Sequence, residues 1–154
     1  MLITYIHLLT LVVWFGGMIF FSFIAAPSIF SILPKETAGD VVGDIFPKYF
    51  FIGYISSLLL LGTLLWLGRG QLKVVIAPLS IIFVMTCLTF YSGLIIGNKA
   101  RSIKQEIRQT FKETKKEDLR KAFKKIHGVS MMFNATVIIL SLIYVAFIAK
   151  ILHL

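Results

Sequence analysis

The sequence predicts an all-α integral membrane protein, a four-helix bundle with a cytoplasmic helical hairpin extending helices 3 and 4. Residues Met1–Pro34, Tyr49–Gly68, Val74–Asn98 and Ile126–Ala149 contain no Asp, Glu, Lys or Arg, giving uncharged runs of 34, 20, 25 and 24 residues. A helix needs about 20 apolar residues to cross the hydrocarbon core. The runs are continuous rather than alternating, which disfavours a closed barrel of strands and leaves helices. Hydrophobic residues make up 58% of the 154, more than a soluble domain of that size can hide. One domain over residues 1–154 is expected, with helices at about 3–30, 48–67, 74–112 and 115–152.

Helix 1 lacks a basic n-region and exceeds an ordinary signal-peptide core, so it is expected to be retained. His7, Thr10, Trp14, Gly17, Phe21 and Ala25 fall on one face at helical spacing. Gly16-Gly17 is expected to admit a neighbouring backbone, and Pro27 to bend the helix. Pro34 followed by Lys-Glu-Thr-Ala-Gly-Asp predicts a short interfacial helix, ended by Phe46-Pro47. Tyr49-Phe50-Phe51 then opens helix 2 with interfacial aromatics, and Arg69–Lys73 makes a tight turn between antiparallel neighbours. Helix 3 carries Gly93 and Gly97, a small-residue pair suited to contacts within the chain or in a homo-oligomer.

Helix 3 is expected to run on past the membrane, with Ile103, Ile107 and Phe111 on one face. Thr114 and Glu117 have capping-box spacing, and Leu119, Ala122, Phe123 and Ile126 line the next helix. The two apolar faces are expected to pack as the hairpin, with Glu117 and Lys121 as an i,i+4 pair. Helix 4 then presents His127, Ser130, Asn134, Ser141 and Tyr144, the most polar stripe of any membrane run.

All seven acids and 13 of the 16 bases sit in Lys35–Lys48 and Lys99–Lys125. Short loops rich in Lys and Arg stay cytoplasmic. Both connections are therefore expected inside, and both termini outside, in the cell (inner) membrane.

No charged residue falls at membrane depth, which argues against transport driven by a buried carboxylate and against carboxylate acid–base catalysis there. No phosphate-binding, dinucleotide or zinc-protease motif is present, and Cys87 is single. No catalytic residue is assigned.

The polar candidates are His127, Ser130 and Asn134, with Tyr49, Tyr54, Tyr91 and Asn98 as partners and Pro27 and Pro47 as the floor of a pocket at the cytoplasmic mouth. An interhelical hydrogen-bond cluster is the plainer alternative for the same residues. His7 and His127 are the metal or haem candidates, expected near opposite membrane faces, so no cofactor is expected. Arg101, Lys104, Arg108 and Lys112 crowd one helix face, a pattern suited to anionic lipid headgroups. Phe111 and Phe123 look like hairpin core rather than stacking platforms, so no nucleic acid is expected.

His7 with Trp14-Phe15-Gly16-Gly17, Pro27, Leu33-Pro34 with Ala38-Gly39, Phe46-Pro47-Lys48-Tyr49-Phe50, and Lys125-Ile126-His127-Gly128-Val129-Ser130 with Asn134 together resemble the transmembrane protein 205-like family. This four-helix group is also described as domain of unknown function 4149. The resemblance spans the chain and implies a polytopic membrane protein without an established activity. More distantly, the His-bearing first helix is similar to copper-resistance-D-type membrane domains, some of whose kin use haem. No second membrane histidine lies level with His7 except His153.

The leading expectation is a non-enzymatic membrane protein whose cytoplasm-facing polar pocket binds or passes a small solute. The alternatives are a haem- or metal-binding redox protein and a scaffold that recruits a partner through the basic hairpin.

Overall fold

The computed structural model describes residues 1–151. It contains four long helices, each long and apolar enough to cross a membrane: α1 (Leu2–Ile32), α2 (Lys35–Leu67), α3 (Leu72–Gln109) and α4 (Glu113–Ile151). They run up and down in chain order, and each sequential pair is in contact. α1 and α4 close the ring over a shorter length.

The connections are short, and backbone bonds close several of the helix ends. Between α2 and α3, the Gly68 N–H donates to the Leu64 carbonyl at 2.9 Å, and Gly70 adopts φ 83°, the left-handed region open to glycine. The Arg69 guanidinium lies 3.4 Å from the centroid of the Trp66 ring, a cation–π contact closing the turn.

Two expectations change. Lys35–Lys48 is not a separate interfacial helix but the first turns of α2, which continues through Pro47. The missing Pro47 N–H removes one helical bond, and the rest of a 33-residue helix holds the segment in line. Phe111 is 98% exposed at the tip between α3 and α4, so it is not hairpin core. The charged ends of α3 and α4 do run antiparallel in contact, tied by Lys115–Glu106 at 2.8 Å and flanked by the Lys121–Glu117 pair at 2.9 Å.

Two helices contain a π-helical turn, Phe21–Ala25 in α1 and Tyr91–Ile96 in α3. In the first, the Ala26 N–H reaches the Phe21 carbonyl five residues back, immediately before Pro27, which cannot donate. The expected bend at Pro27 is thus an inserted residue, which rotates the register of everything preceding it. Such turns recur at functional sites.

The core of the bundle is lined by Leu11, Trp14, Met18, Leu60, Leu64, Ile82, Met85, Val137 and Tyr144, all buried. Gly16 and Gly17 do not serve it: a Cβ on either would meet nothing within 4 Å. The close approach belongs to Gly53, against Thr89 and the Trp14 indole, and to Gly93, against Tyr54 and Phe50. Tyr54 packs between Phe50 and Phe90, with ring centroids 6.4 and 4.4 Å away.

These two glycine classes give opposite expectations. Gly93→Ala would place its Cβ on the Tyr54 hydroxyl and 2.8 Å from Phe50 Cγ. It should cost about 1–3 kcal/mol, the range for overpacking. Gly16→Ala meets open space and should be neutral or stabilising by up to about 1 kcal/mol, the helix-propensity gain. Unfolding by sodium dodecyl sulfate in mixed micelles, followed by circular dichroism, measures both; equal effects would refute the packing assignment.

Candidate functional site

Side-chain hydrogen bonds between helices inside the bundle fall at two levels. Near the chain termini, His7 is 1% exposed rather than interfacial. Its Nδ1 lies 2.6 Å from Thr63 Oγ1, and its Nε2 lies 2.9 Å from the Tyr144 hydroxyl. Thr63 donates its own proton to the Leu59 carbonyl at 2.7 Å. Thr63 must therefore accept from His7 Nδ1–H, which leaves Nε2 to accept from Tyr144. The neutral Nδ1–H tautomer satisfies every partner, and α1, α2 and α4 are joined.

At the charged end the same three helices meet again. The Tyr49 hydroxyl donates to Asn134 Oδ1 at 2.7 Å, and Asn134 Nδ2 donates to Ser22 Oγ at 2.8 Å. Ser22 is the residue that sequence reasoning missed. It lies beside the His7–Trp14–Phe21 stripe, and the π-helical turn Phe21–Ala25 swings it inward. The available signal was a serine within a phenylalanine-rich segment five residues before a proline.

A cleft opens around this second cluster. One lobe, about 600 Å³, lies between α1 and α4 and is lined chiefly by Phe21, Ser22, Phe23, Pro27, Phe30, Tyr49, His127, Ser130 and Asn134. The other, about 370 Å³, lies among the charged ends of α2, α3 and α4, where Lys35, Arg101, Lys104 and Arg120 border it. The lobes share Phe30, Val42, Phe46, Phe50, His127 and Ser130, so an apolar and a basic space adjoin across a common wall. Above them a residual void of about 20 Å³ is roofed by Trp14, Met18 and Gly53. That void is no larger than a single water requires, so the cleft ends at Trp14.

His127, Ser130, Asn134, Tyr49 and Pro27 are brought together on this cleft. Tyr54 is instead packed in the aromatic stack. Tyr91 is 51% exposed and meets Phe133 edge-on from outside. Asn98 is exposed, donating to the Leu94 carbonyl and accepting from Arg101. Pro47 is likewise exposed and does not line either lobe. His127 stacks parallel to Phe123, with centroids 6.2 Å apart.

The basic stripe divides. Lys104 and Arg108 turn to Asp40 of α2, Lys104 at 2.6 Å, rather than outward. The hydrogen bond from Lys104, reinforced by both positive charges, holds the Asp40 carboxyl below the usual carboxylate range. Arg101 borders the cleft, and Lys112 is exposed at the tip.

Both His7 nitrogens are engaged, and no group of three His, Cys, Asp or Glu capable of holding a metal occurs among the described residues.

The structure thus defines a polytopic helical protein with a cleft at the charged end of its bundle. The chain belongs to the family described as domain of unknown function (DUF4149), whose model matches residues 9–109. It is similar to an uncharacterized protein of Aquifex aeolicus (strain VF5), 34% identical over 123 residues covering 80% of this chain and 79% of the relative. No solved structure matches it.

The two polar ties should behave as real couplings. A double-mutant cycle of His7→Phe with Tyr144→Phe, and one of Asn134→Leu with Tyr49→Phe, should each return about 0.6–1.7 kcal/mol, the range for interhelical hydrogen bonds in membranes. The same micellar unfolding measurement reads them, and additive single effects would deny the bonds.

Proposed function

We propose that this is a non-enzymatic integral membrane protein whose cleft binds or passes a small solute from the cytoplasm. The observation that carries this reading is the coincidence of ligand-sized open space with hydrogen-bonding groups that packing leaves available. Sites for small molecules occupy about 300–1,000 Å³ and combine apolar walls with a few polar groups. Asn134 uses one of its two N–H donors on Ser22, and His127 and Ser130 make no side-chain hydrogen bond among the described residues. No buried side-chain nitrogen or oxygen lacks a partner among the described residues, so the unbonded groups of His127 and Ser130 are not sealed into the packing.

The charged end lies in the cytoplasm on this reading, with both termini outside the cell membrane, because Lys and Arg are concentrated there. Lys112 and other bases of that end face anionic headgroups. The resemblance to transmembrane protein 205-like proteins supports the same four-span plan. The more distant copper-resistance-D likeness lends little, since His7 is committed to Thr63 and Tyr144. The scaffold reading has no observation in its favour beyond charge.

Orientation is tested in a Cys87→Ser background. Lys112→Cys should react with a membrane-impermeant maleimide only after cell lysis, and Arg69→Cys in intact cells; the reverse pattern would invert the topology. Binding is tested by native mass spectrometry of the protein extracted from its membrane. The parent protein should carry a small bound mass that Ser130→Phe, which fills the shared wall of the two lobes, removes without unfolding the bundle. A protein that carries no bound mass and takes up no added ligand would leave the cleft a packing feature.

A further inference from the structure

The cleft is polarised along its length. The lobe between α1 and α4 contains no Asp, Glu, Lys or Arg among its lining residues. Its rim is already apolar outside: Phe23 is 65%, Met131 57% and Ile139 58% exposed while lining it. Such a rim opens the cleft sideways, between two helices, toward the surroundings of the bundle's apolar belt. Water is not the medium it faces.

The other lobe is basic, and its charge is not spent. Asp40 is consumed by Lys104 and Arg108. Lys35, Arg101 and Arg120 come from three different helices to the same lobe, and none of them forms an ion pair among the described residues. Glu36 is the single acid on its wall. Like charges converging without matching acids raise the energy of the empty site and lower that of one holding an anion. Arginine adds a planar fork of donors suited to a carboxylate or phosphate.

Apolar walls with a lateral opening, leading to unneutralised arginines at the headgroup end, match one ligand chemistry. We propose that the cleft takes an anionic amphiphile with a single hydrocarbon chain. The chain lies against Phe23, Pro27 and Met131 between α1 and α4, and the charged head lies between Arg101 and Arg120. The volumes of about 600 and 370 Å³ are those of one drug-sized ligand rather than a two-chain lipid. This identifies the solute class of the binding site proposed above and rests on that reading.

Trp14 lines the small void next to the cleft, across Tyr49, Ser130 and Asn134 from the larger lobe, and supplies the measurement. The second tryptophan, Trp66, sits by Arg69 at the opposite end of the bundle, so Trp66→Phe leaves Trp14 as the sole reporter. Bromine quenches tryptophan at short range. The full-length Trp66→Phe protein in detergent is titrated with dibromostearate and with its uncharged methyl ester. Quenching by the acid should saturate and be at least about tenfold tighter than by the ester, the equivalent of one charge-assisted hydrogen bond. Arg101→Gln combined with Arg120→Gln should erase that preference while leaving the ester unchanged.

Equal affinity for acid and ester overturns the assignment of an anionic head. Displacement of the acid by millimolar inorganic phosphate would show a site for free anions instead. Tighter quenching by dibrominated phosphatidylglycerol would replace the single chain by a two-chain lipid. If the double arginine variant does not fold, the comparison of acid with ester on the parent protein decides alone. A saturable ester titration with no preference for the acid defeats this inference and keeps the binding cleft. Linear quenching by every probe, together with no bound mass in the native spectrum, defeats both.

Discussion

A polar side chain within a bundle built for hydrocarbon has no water to fall back on, and this constraint organises the molecule. An unmatched amide or hydroxyl there costs several kcal/mol, by order of magnitude. His7 and Asn134, near opposite ends of the bundle, each bond two side chains from two other helices. Both ties join α1, α2 and α4. Between them the buried Ser57, Thr86, Thr89 and Ser141 bond to carbonyls of their own helices rather than across the bundle, and beyond the second tie the helices are free to part.

That arrangement explains why the cleft lies where it does. α1 and α4 are the adjacent pair with the least contact, and their polar bonds are His7–Tyr144 at one level and Ser22–Asn134 at the other. Toward the charged end no further bond draws these two together. The large side chains Phe23, Phe30 and Met131 hold the gap open without filling it. The π-helical turn before Pro27 is part of the same design, since it aims Ser22 at Asn134 and sends the last turns of α1 off the register of the rest.

Helix existence was legible because membranes impose it: four uncharged runs can be little else. Their ends were less so. The charged segment after Pro34 reads as a short, weak interfacial helix ended by Phe46-Pro47, yet it folds as the start of α2 and runs on through Pro47. Ala38 and Val42 are buried there, and Asp40 binds Lys104 and Arg108 across the interface. Tertiary contacts outweighed weak propensity. Gly16 and Gly17 failed in the opposite sense, because small residues permit close packing without requiring it, and here no helix approaches them.

The sequence by itself determined the class, the number of helices, and the polar character of one end of α4. Charge cannot be buried in hydrocarbon, so its placement is readable residue by residue. Only the tertiary structure decided that His7 is a buried tie, that Ser22 completes the Asn134 cluster, and that Lys104 and Arg108 share Asp40 while Arg101 and Arg120 have no acid partner among the described residues. Those outcomes depend on which helix faces which and on a one-residue shift in register, quantities that emerge from packing three dimensions of side chains and leave no periodic trace in one.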